Sequence, residues 1–252
     1  MNLQRLATIL RPAEQFAPFT SGEIETAMTA PLPTGDFRFI ALDVETACGD
    51  NASICQIGIA CVDAQETIQT WMTYVDPLVE FSPFNTDLHG ISAKTVRGAP
   101  SFAQIWPVLL PRLVRQPMVQ HSRFDEAAIN AACKAQGLQT PRLTWHDSVA
   151  IARAAWPELK GNGGHGLASL KRHLGLEFHH HDAGEDARAA AMVVLRAQEQ
   201  NVLRAQATNL LRAQGDGLRA ESAGLPAQRN APRAKTQTDP IGAKPFQMSW
   251  QF

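Results

Sequence analysis

Three apolar segments joined by short connections constrain the fold of this chain more than any other feature of its sequence. They read FRFIALDV (37–44), ICQIGIACVD (54–63) and IQTWMTYVDP (68–77). Each is rich in β-branched or aromatic residues and is bounded by polar or turn-forming residues, which is typical of strands. Because short connections join neighbouring antiparallel strands, these segments predict an antiparallel meander of three strands.

Helical and strand-like segments alternate further along the chain. Apolar residues at helical spacing, such as Leu167, Leu170 and Leu174 ahead of Gly175, indicate helices. The predicted elements, in order, are a helix at 101–114, a strand at 117–122, a helix at 124–137, a strand and helix at 143–156, and helices at 165–175 and 182–200. Residues 85–100 are predicted to be mostly loop. Strands that come first and then alternate with helices indicate an α/β fold with a mixed sheet.

The two ends of the chain differ in composition from its middle. Residues 1–36 contain four prolines between positions 12 and 33, which predict an N-terminal extension ahead of a domain at 37–200. The last helix is predicted to continue no further than Gly215. The composition of residues 201–252, with Ala, Gln, Arg, Pro and Gly prominent, is typical of a flexible tail.

Charge is unevenly distributed along the chain. The net charge of −1 argues by itself against a protein that coats nucleic acid. However, residues 200–252 carry seven Lys or Arg against three Asp or Glu, so the excess of acidic groups lies in the rest of the chain. A mildly acidic body with a basic tail differs from a chain that is neutral along its whole length, so the net charge alone does not describe its surface.

Cysteine spacing and hydropathy indicate the cellular compartment of the protein. The four cysteines form no CxxC pair, so we expect neither a cysteine zinc site nor a disulfide framework. No apolar run approaches the ~18 residues that a membrane span requires. The first residues lack the apolar core of a signal peptide. These features predict a cytoplasmic protein without a membrane partner.

Two carboxylates lie at the end of the first predicted strand. Asp43 and Glu45 come directly after the apolar run FIAL, and strand alternation places them on one face. Neighbouring carboxylates resist joint ionisation unless a cation lies between them. The simpler interpretation of such a pair is a solvated strand end.

Further acidic residues stand at the starts of two predicted helices. Asp125, in HSRFD, opens the helix at 124–137, where the helix dipole alone would favour an acidic residue. Asp186 lies seven residues before Val193 on the apolar face of the last helix, so it faces inward and needs a partner. His181 precedes this helix in a run of three histidines, whose simpler interpretation is a polar loop or an adventitious metal site. Asp182 and Glu185 resemble a capping pair.

Carboxylates that converge on one point are the arrangement that holds two divalent cations for phosphodiester hydrolysis. Oxygen ligands of this kind favour Mg²⁺ or Mn²⁺ over zinc. A histidine with a pKa near neutrality can take the proton from an attacking water.

These five residues, in this order, resemble the DEDDh group of 3′→5′ exonucleases. The group includes the proofreading epsilon subunit of bacterial DNA polymerase III, RNase T and oligoribonuclease, on a ribonuclease-H-like fold with helices flanking a central mixed sheet. Asp43 and Glu45 match its first motif, D-x-E, and Asp125 matches the aspartate of its second. His181 and Asp186 match the third motif, H-x(4)-D, a spacing that no other histidine of the triplet has. The segments SICQIG, LHGIS and HGLASL are also similar to the group.

The resemblance implies roles for particular residues. The four carboxylates, Asp43, Glu45, Asp125 and Asp186, would hold two Mg²⁺ or Mn²⁺ ions, and His181 would be the general base. The reaction would release nucleoside 5′-monophosphates from the 3′ ends of single-stranded or frayed DNA. For substrate contacts, the resemblance places Thr46 near the terminal sugar. It also makes His89 a candidate for contact with the penultimate nucleotide. The alternative role of His89 is a structural hydrogen bond.

One departure and two alternative functions accompany this prediction. The second motif of the group often reads His-Asn-x-x-Phe-Asp, but Gln120 and His121 occupy its first two positions here. This difference puts a substrate contact from this turn in doubt.

An RNA exonuclease is the first alternative function, because it uses the same metal chemistry. Selectivity between DNA and RNA depends on how the site receives the 2′-OH of the terminal sugar. The third possibility is a non-catalytic module that binds a polymerase or a sliding clamp.

The last six residues suggest a partner. They read QMSWQF, and the pattern of Gln247, Trp250 and Phe252 is similar to the short peptide by which replication and repair proteins bind the bacterial sliding clamp. A flexible tether that presents apolar anchors to a groove is a common mode of recognition. The alternative is that this end of the chain packs on the body of the protein.

Overall fold

The computed structural model describes residues 30–223, with side chains described for residues 30–209. Its centre is a sheet of strands β1 (Phe39–Thr46), β2 (Ile54–Val62), β3 (Ile68–Tyr74), β4 (Met118–Gln120) and β5 (Trp145–Asp147). The strand order is β3-β2-β1-β4-β5. β1 pairs antiparallel with β2, and β2 with β3, whereas β4 is parallel to both β1 and β5. The predicted meander and mixed sheet are confirmed.

The helices lie between and after these strands. They are α1 (Pro83–His89), α2 (Phe102–Leu113), α3 (Phe124–Ala135), α4 (Ser148–Ala155), a 3₁₀ turn (Pro157–Leu159), α5 (Leu167–Leu174) and α6 (Ala183–Ala223). Among the described residues, 30–199 belong to one compact unit and 200–223 belong to a second. No helix within residues 30–223 combines the length and apolarity of a membrane-spanning segment.

The two faces of β1 pack against different helices, and this decides where its carboxylates lie. Ile40, Leu42 and Val44 join the core cluster that includes buried residues of α2 and α3. Phe39 and Ala41 instead pack with small residues of α6. Since side chains alternate along a strand, Asp43 and Glu45 share the α6 face with Phe39 and Ala41.

The small side chains of α6 allow this helix to lie close to the sheet. Ala187, Ala190, Ala191 and Val194 are all buried against β1 and β2. The face of α6 that carries Asp186 is therefore drawn onto the strand face that carries the first two carboxylates.

Two sequence predictions about secondary structure need correction: residues 85–100 are mostly loop as predicted but include part of a helix, and the last helix is longer than predicted. The region predicted as loop contains α1, which begins where the Ser82 side chain accepts from Asn85 N–H and ends at Gly90 in the left-handed conformation. The predicted end at Gly215 is too early, because α6 continues to Ala223. Leucine, alanine, arginine and glutamine are good helix formers, and they outweigh the modest helix penalty of isolated glycines.

Several sequence predictions concern residues that lie wholly or largely outside the described range. Most of the extension at 1–36 precedes residue 30, and the clamp-binding residues Gln247, Trp250 and Phe252 follow residue 223. These remain predictions from the sequence.

Candidate active site

The predicted catalytic residues line one cleft of about 540 Å³. It lies where β1 ends, beside the starts of α3 and α6. The structure brings together residues that are up to 143 positions apart in the sequence, and all of them line this cleft: Asp43, Glu45, Asp125, His181 and Asp186.

Asp125 is tied directly to β1. It lies in the first turn of α3, is 2% exposed, and its Oδ1 accepts a hydrogen bond from Val44 N–H at 3.0 Å. Val44 lies between the two carboxylates of β1. This hydrogen bond therefore sets the distance between the start of α3 and the D-x-E segment.

Asp186 is held by the segment that enters α6. Its side chain is buried, and Oδ2 accepts a hydrogen bond from His181 N–H at 2.8 Å. His180 Nδ1 lies 3.0 Å from both carboxylate oxygens. The Asp182 side chain accepts from Glu185 N–H at 3.0 Å, which confirms the Asp182 half of the predicted cap.

His181 reaches from this segment toward β1. Its Nδ1 lies 3.9 Å from Glu45 Oε1. The residue has φ of 69°, a left-handed conformation that is uncommon for a non-glycine residue. Burial and the neighbouring His180 lower the pKa of His181, so its imidazole is neutral and can accept a proton at neutral pH.

Gln56, on β2, fixes the start of α6 and was given no role by the sequence reasoning. Its buried side chain donates from Nε2 to Asp182 Oδ2 at 3.1 Å, and its Oε1 accepts from Ala183 N–H at 3.0 Å. It lies opposite Glu45 in the β1–β2 ladder. A glutamine inside the otherwise apolar run ICQIGIACV is the signal that could have identified it, because a buried polar side chain needs partners.

Gly58, two residues further along β2, was also missed. It lies opposite Asp43. A Cβ atom at this position would lie 2.1 Å from the backbone C and O of Ala183 and 2.3 Å from Gly184 N. Only glycine therefore lets the start of α6 approach the strand this closely.

Burial and mutual repulsion raise the pKa values of three of the clustered carboxyl groups. The pKa of Glu45 rises to about 8, through burial and then the charges of Asp186, Asp125 and Asp182. Burial, with a further contribution from Asp186, raises the pKa of Asp125 to about 7, against the lowering effect of backbone hydrogen bonds. The pKa of Asp43 is raised well above its usual range by burial and four neighbouring carboxylates. These carboxyl groups can therefore ionise together only when positive charge is bound among them.

The donor set fits divalent cations that prefer oxygen. One carboxylate oxygen each from Asp43, Glu45 and Asp186 lies within 4.8 Å of the others. Three carboxylates at a shared point, with a fourth from Asp125 beside them, suit Mg²⁺ or Mn²⁺.

Thr46 and His89 lie together at the end of β1. Thr46 lines the cleft, and its carbonyl oxygen lies 2.8 Å from Asn85 Nδ2 and 3.1 Å from His89 Nε2. His89 Nδ1 accepts from Ile91 N–H at 3.0 Å, so Nε2 carries the proton and donates to Thr46. This is the structural hydrogen bond considered above, and a nucleotide contact from His89 stays a prediction.

The departure in the second motif forms a local network. The Gln120 side chain accepts from Glu126 N–H at 3.0 Å and so satisfies the start of α3. His121 Nδ1 lies 2.8 Å from Ser148 Oγ, which donates to the Gln120 carbonyl at 3.0 Å. His121 also lines the cleft, and burial lowers its pKa to about 4, so it is neutral at pH 7.

The sheet order, the flanking helices and the clustered carboxylates define a nuclease of the ribonuclease-H-like fold. A model of the RNase T exonuclease family matches residues 40–194. The chain belongs to this family, the DEDDh-type 3′→5′ exonucleases, as its motifs predicted. It is accordingly an exonuclease, a phosphodiester hydrolase, of a family that uses divalent metal ions.

Relatives and solved structures agree with this assignment. The chain is 28% identical over 187 residues to a PolC-type DNA polymerase III of Caldanaerobacter subterraneus, a match that covers 73% of this chain and 13% of the polymerase. The chain thus spans a small part of the relatives it matches. The nuclease domain of 3′hExo, a DEDDh family member bound to rAMP, superposes with a TM-score of 0.54 at 16% identity, covering 66% of this chain and 94% of that one. E. coli Exonuclease I in complex with a dT13 oligonucleotide superposes with a TM-score of 0.53 at 16% identity. This match covers 63% of the present chain and 40% of Exonuclease I.

Proposed function

We propose that this protein removes nucleotides from the 3′ ends of single-stranded or frayed DNA and releases nucleoside 5′-monophosphates. The observation that carries the proposal is the convergence of four carboxylates and one neutral histidine on a single cleft. The PolC-type relatives favour DNA as substrate and a role in proofreading or repair. Binding of a sliding clamp through Gln247, Trp250 and Phe252 is a further proposal, which rests on the sequence alone.

The residues divide the chemical work between them. Asp43, Glu45, Asp125 and Asp186 would hold two divalent ions, Mg²⁺ or Mn²⁺. Such ions lower the pKa of a bound water and stabilise the charge on the leaving oxygen. His181 would accept the proton of the attacking water at its imidazole, which stands 3.9 Å from Glu45 at the mouth of the site. Gln56 would hold the segment that carries His181 in place.

An apolar rim around the cleft supports a single-stranded substrate. Phe84 is 74% exposed, and Leu88, one turn later on α1, is 43% exposed. Phe124, at the start of α3, is 41% exposed, and all three line the cleft. Exposed apolar side chains beside a polar site suit the faces of unstacked bases, which a duplex would not offer.

Phe84→Ala is expected to raise the KM for a single-stranded oligonucleotide about tenfold while leaving kcat within a factor of about three. The reason is that stacking on one aromatic ring contributes about 1–3 kcal/mol per base. Steady-state hydrolysis of a labelled single strand measures both constants. Val79→Ala, which also removes an exposed apolar side chain but lies outside the cleft, is the matched control. A KM for Phe84→Ala equal to that of the control would exclude stacking at this position.

DNA and RNA can be distinguished directly. Matched DNA and RNA oligonucleotides with a 3′ label, incubated with the purified protein and Mg²⁺ or Mn²⁺, are expected to show faster loss of the label from DNA. Faster loss from RNA would identify an exoribonuclease, in agreement with a fold neighbour that binds rAMP. Inactivity on both would favour a non-catalytic binding module.

The metal-free protein is expected to lose stability as the pH rises from about 5 to about 8. The pKa values of Glu45 and Asp125, about 8 and about 7, are higher in the folded protein than in an unfolded chain. The folded state therefore binds more protons over this range, and the free energy of unfolding falls as pH rises. Divalent ions bind the ionised carboxylates and should weaken or reverse this trend. Thermal unfolding in EDTA should show a fall in Tm of ~5 °C or more, and a smaller fall or a rise with Mg²⁺. A Tm in EDTA that stays flat or rises would contradict the assigned shifts.

A further inference from the structure

The histidine triplet contains a second imidazole at the site, for which the proposed reaction has no use. His180 is exposed, and its Nδ1 lies 3.0 Å from both carboxylate oxygens of Asp186. Its ring stacks on that of His181, with centroids 4.0 Å apart and an interplanar angle of 21°. One ligand atom each from His180, His181 and Asp186 lies within 4.8 Å of the other two.

These separations suit coordination of one ion. Two ligand atoms bound to the same ion at ~2.1 Å are about 3.0–3.4 Å apart when they subtend about 90–110°. The distances from His180 Nδ1 to the Asp186 oxygens fall at the lower end of this range. An ion can thus replace the proton between His180 and Asp186 with little movement of either side chain. His181 Nδ1 lies 3.9 Å from Glu45 Oε1. The His181 side chain is partly exposed, so its ring has room to turn toward the same ion.

The chemistry of this donor set differs from that of the neighbouring carboxylates. Asp43, Glu45 and Asp186 offer oxygen alone, which Mg²⁺ prefers. His180 and His181 add two imidazole nitrogens to the oxygens of Asp186. Imidazole favours zinc and other late transition metals, and Mg²⁺ takes such ligands poorly.

We propose that His180, His181 and Asp186 form a transition-metal site, selective for Zn²⁺ over Mg²⁺, that overlaps the carboxylate site through Asp186. A zinc ion there engages the Asp186 carboxylate and the His181 imidazole together. Both groups are then withdrawn from hydrolysis, so the zinc-bound protein is an inhibited form. The inhibitory part rests on the proposed function, whereas the binding part does not.

Binding is tested without reference to activity. The full-length protein, stripped of metal with EDTA and then freed of EDTA, is titrated with Zn²⁺ against a chromophoric chelator and, separately, with Mg²⁺ by calorimetry. His180→Asn is the informative variant, because its amide can still donate a hydrogen bond to Asp186 but is a poor zinc ligand. His179→Asn is the matched control, since His179 is exposed and belongs to the same triplet.

The expected result is a zinc affinity about 30-fold weaker or more in His180→Asn, with Mg²⁺ affinity changed less than about threefold. His179→Asn should match the unmodified protein for both ions. Equal zinc affinities for His180→Asn and the unmodified protein would overturn the site. An equal loss in His179→Asn would also overturn it, because the triplet would then act only as a polyhistidine surface.

Inhibition is tested by adding Zn²⁺ to reactions that contain Mg²⁺. The zinc concentration for half-inhibition should rise in His180→Asn by a factor similar to the change in zinc affinity, and should be unchanged in His179→Asn. Zinc that binds through His180 without slowing hydrolysis would overturn the overlap at Asp186. If the unmodified protein hydrolyses no nucleic acid, the proposed function fails, and the binding titrations still decide whether the site exists.

Discussion

Asp43→Asn is expected to reduce the rate of 3′-end hydrolysis by about 1,000-fold or more while preserving the fold. Asp43 supplies one of the three carboxylates that share a point, and a carboxylate lost from a metal site removes several kcal/mol of transition-state stabilisation. Asparagine keeps the shape of the side chain but not its charge. Single-turnover hydrolysis of a labelled DNA strand measures the loss.

The same change is expected to stabilise the metal-free protein. The pKa of Asp43 is raised by burial and by four neighbouring carboxylates, so its neutral form suits the folded state. At about pH 8 in EDTA, the Tm of the variant should exceed that of the unmodified protein by a few degrees. Glu80→Gln, which also removes one carboxylate but at an exposed position, should change neither rate nor Tm. Near-normal hydrolysis by Asp43→Asn would show that the reaction takes place elsewhere.

Gly58→Ala is expected to reduce both stability and activity, although Gly58 does not line the cleft. The new Cβ would lie 2.1 Å from backbone atoms of Ala183, so the start of α6 must move away from β2. Overpacking of this kind typically costs about 1–3 kcal/mol. The displaced segment carries His181 and Asp186, and a shift of about 1 Å in reacting groups can slow an enzyme about 100-fold.

The effect of Gly58→Ala depends on that one close approach, which gives a clear control. Gly166→Ala adds the same methyl group at an exposed helix start with ordinary φ and no atom within 4 Å. It should leave hydrolysis unchanged within a factor of about two and alter the free energy of unfolding by less than about 1 kcal/mol. Normal hydrolysis by Gly58→Ala would mean that α6 tolerates displacement from the sheet.

The principal elements and the carboxylates were predictable because their signals are local. Period-two alternation places Asp43 and Glu45 on one face of a strand wherever that strand lies. The spacing from His181 to Asp186 likewise depends only on a short helix start, and the motif order identified the family. In contrast, α1 was missed because it is short, exposed and begins at a proline, and its capping by Ser82 outweighs its weak apolar pattern.

The supporting contacts were not predictable, because each joins segments that are far apart in the sequence. Gln56 and Gly58 meet Asp182 and Ala183 across more than a hundred residues, and nothing in the strand pattern indicates which helix they touch. His180 was set aside because its spacing to Asp186 does not fit the family motif. In the folded chain its ring nevertheless reaches both oxygens of Asp186.

The sequence alone thus determined the kind of fold, the family and the identity of the charged groups, because strand and helix periods and motif spacings depend on neighbouring residues. The tertiary structure decided how those groups meet. It packs the small face of α6 against β1 and β2, gathers four carboxyl groups where burial and repulsion raise the pKa of three of them, and places a second imidazole beside Asp186. Electrostatic interaction and metal coordination depend on distances of a few ångströms, and only the packing of distant segments sets those distances.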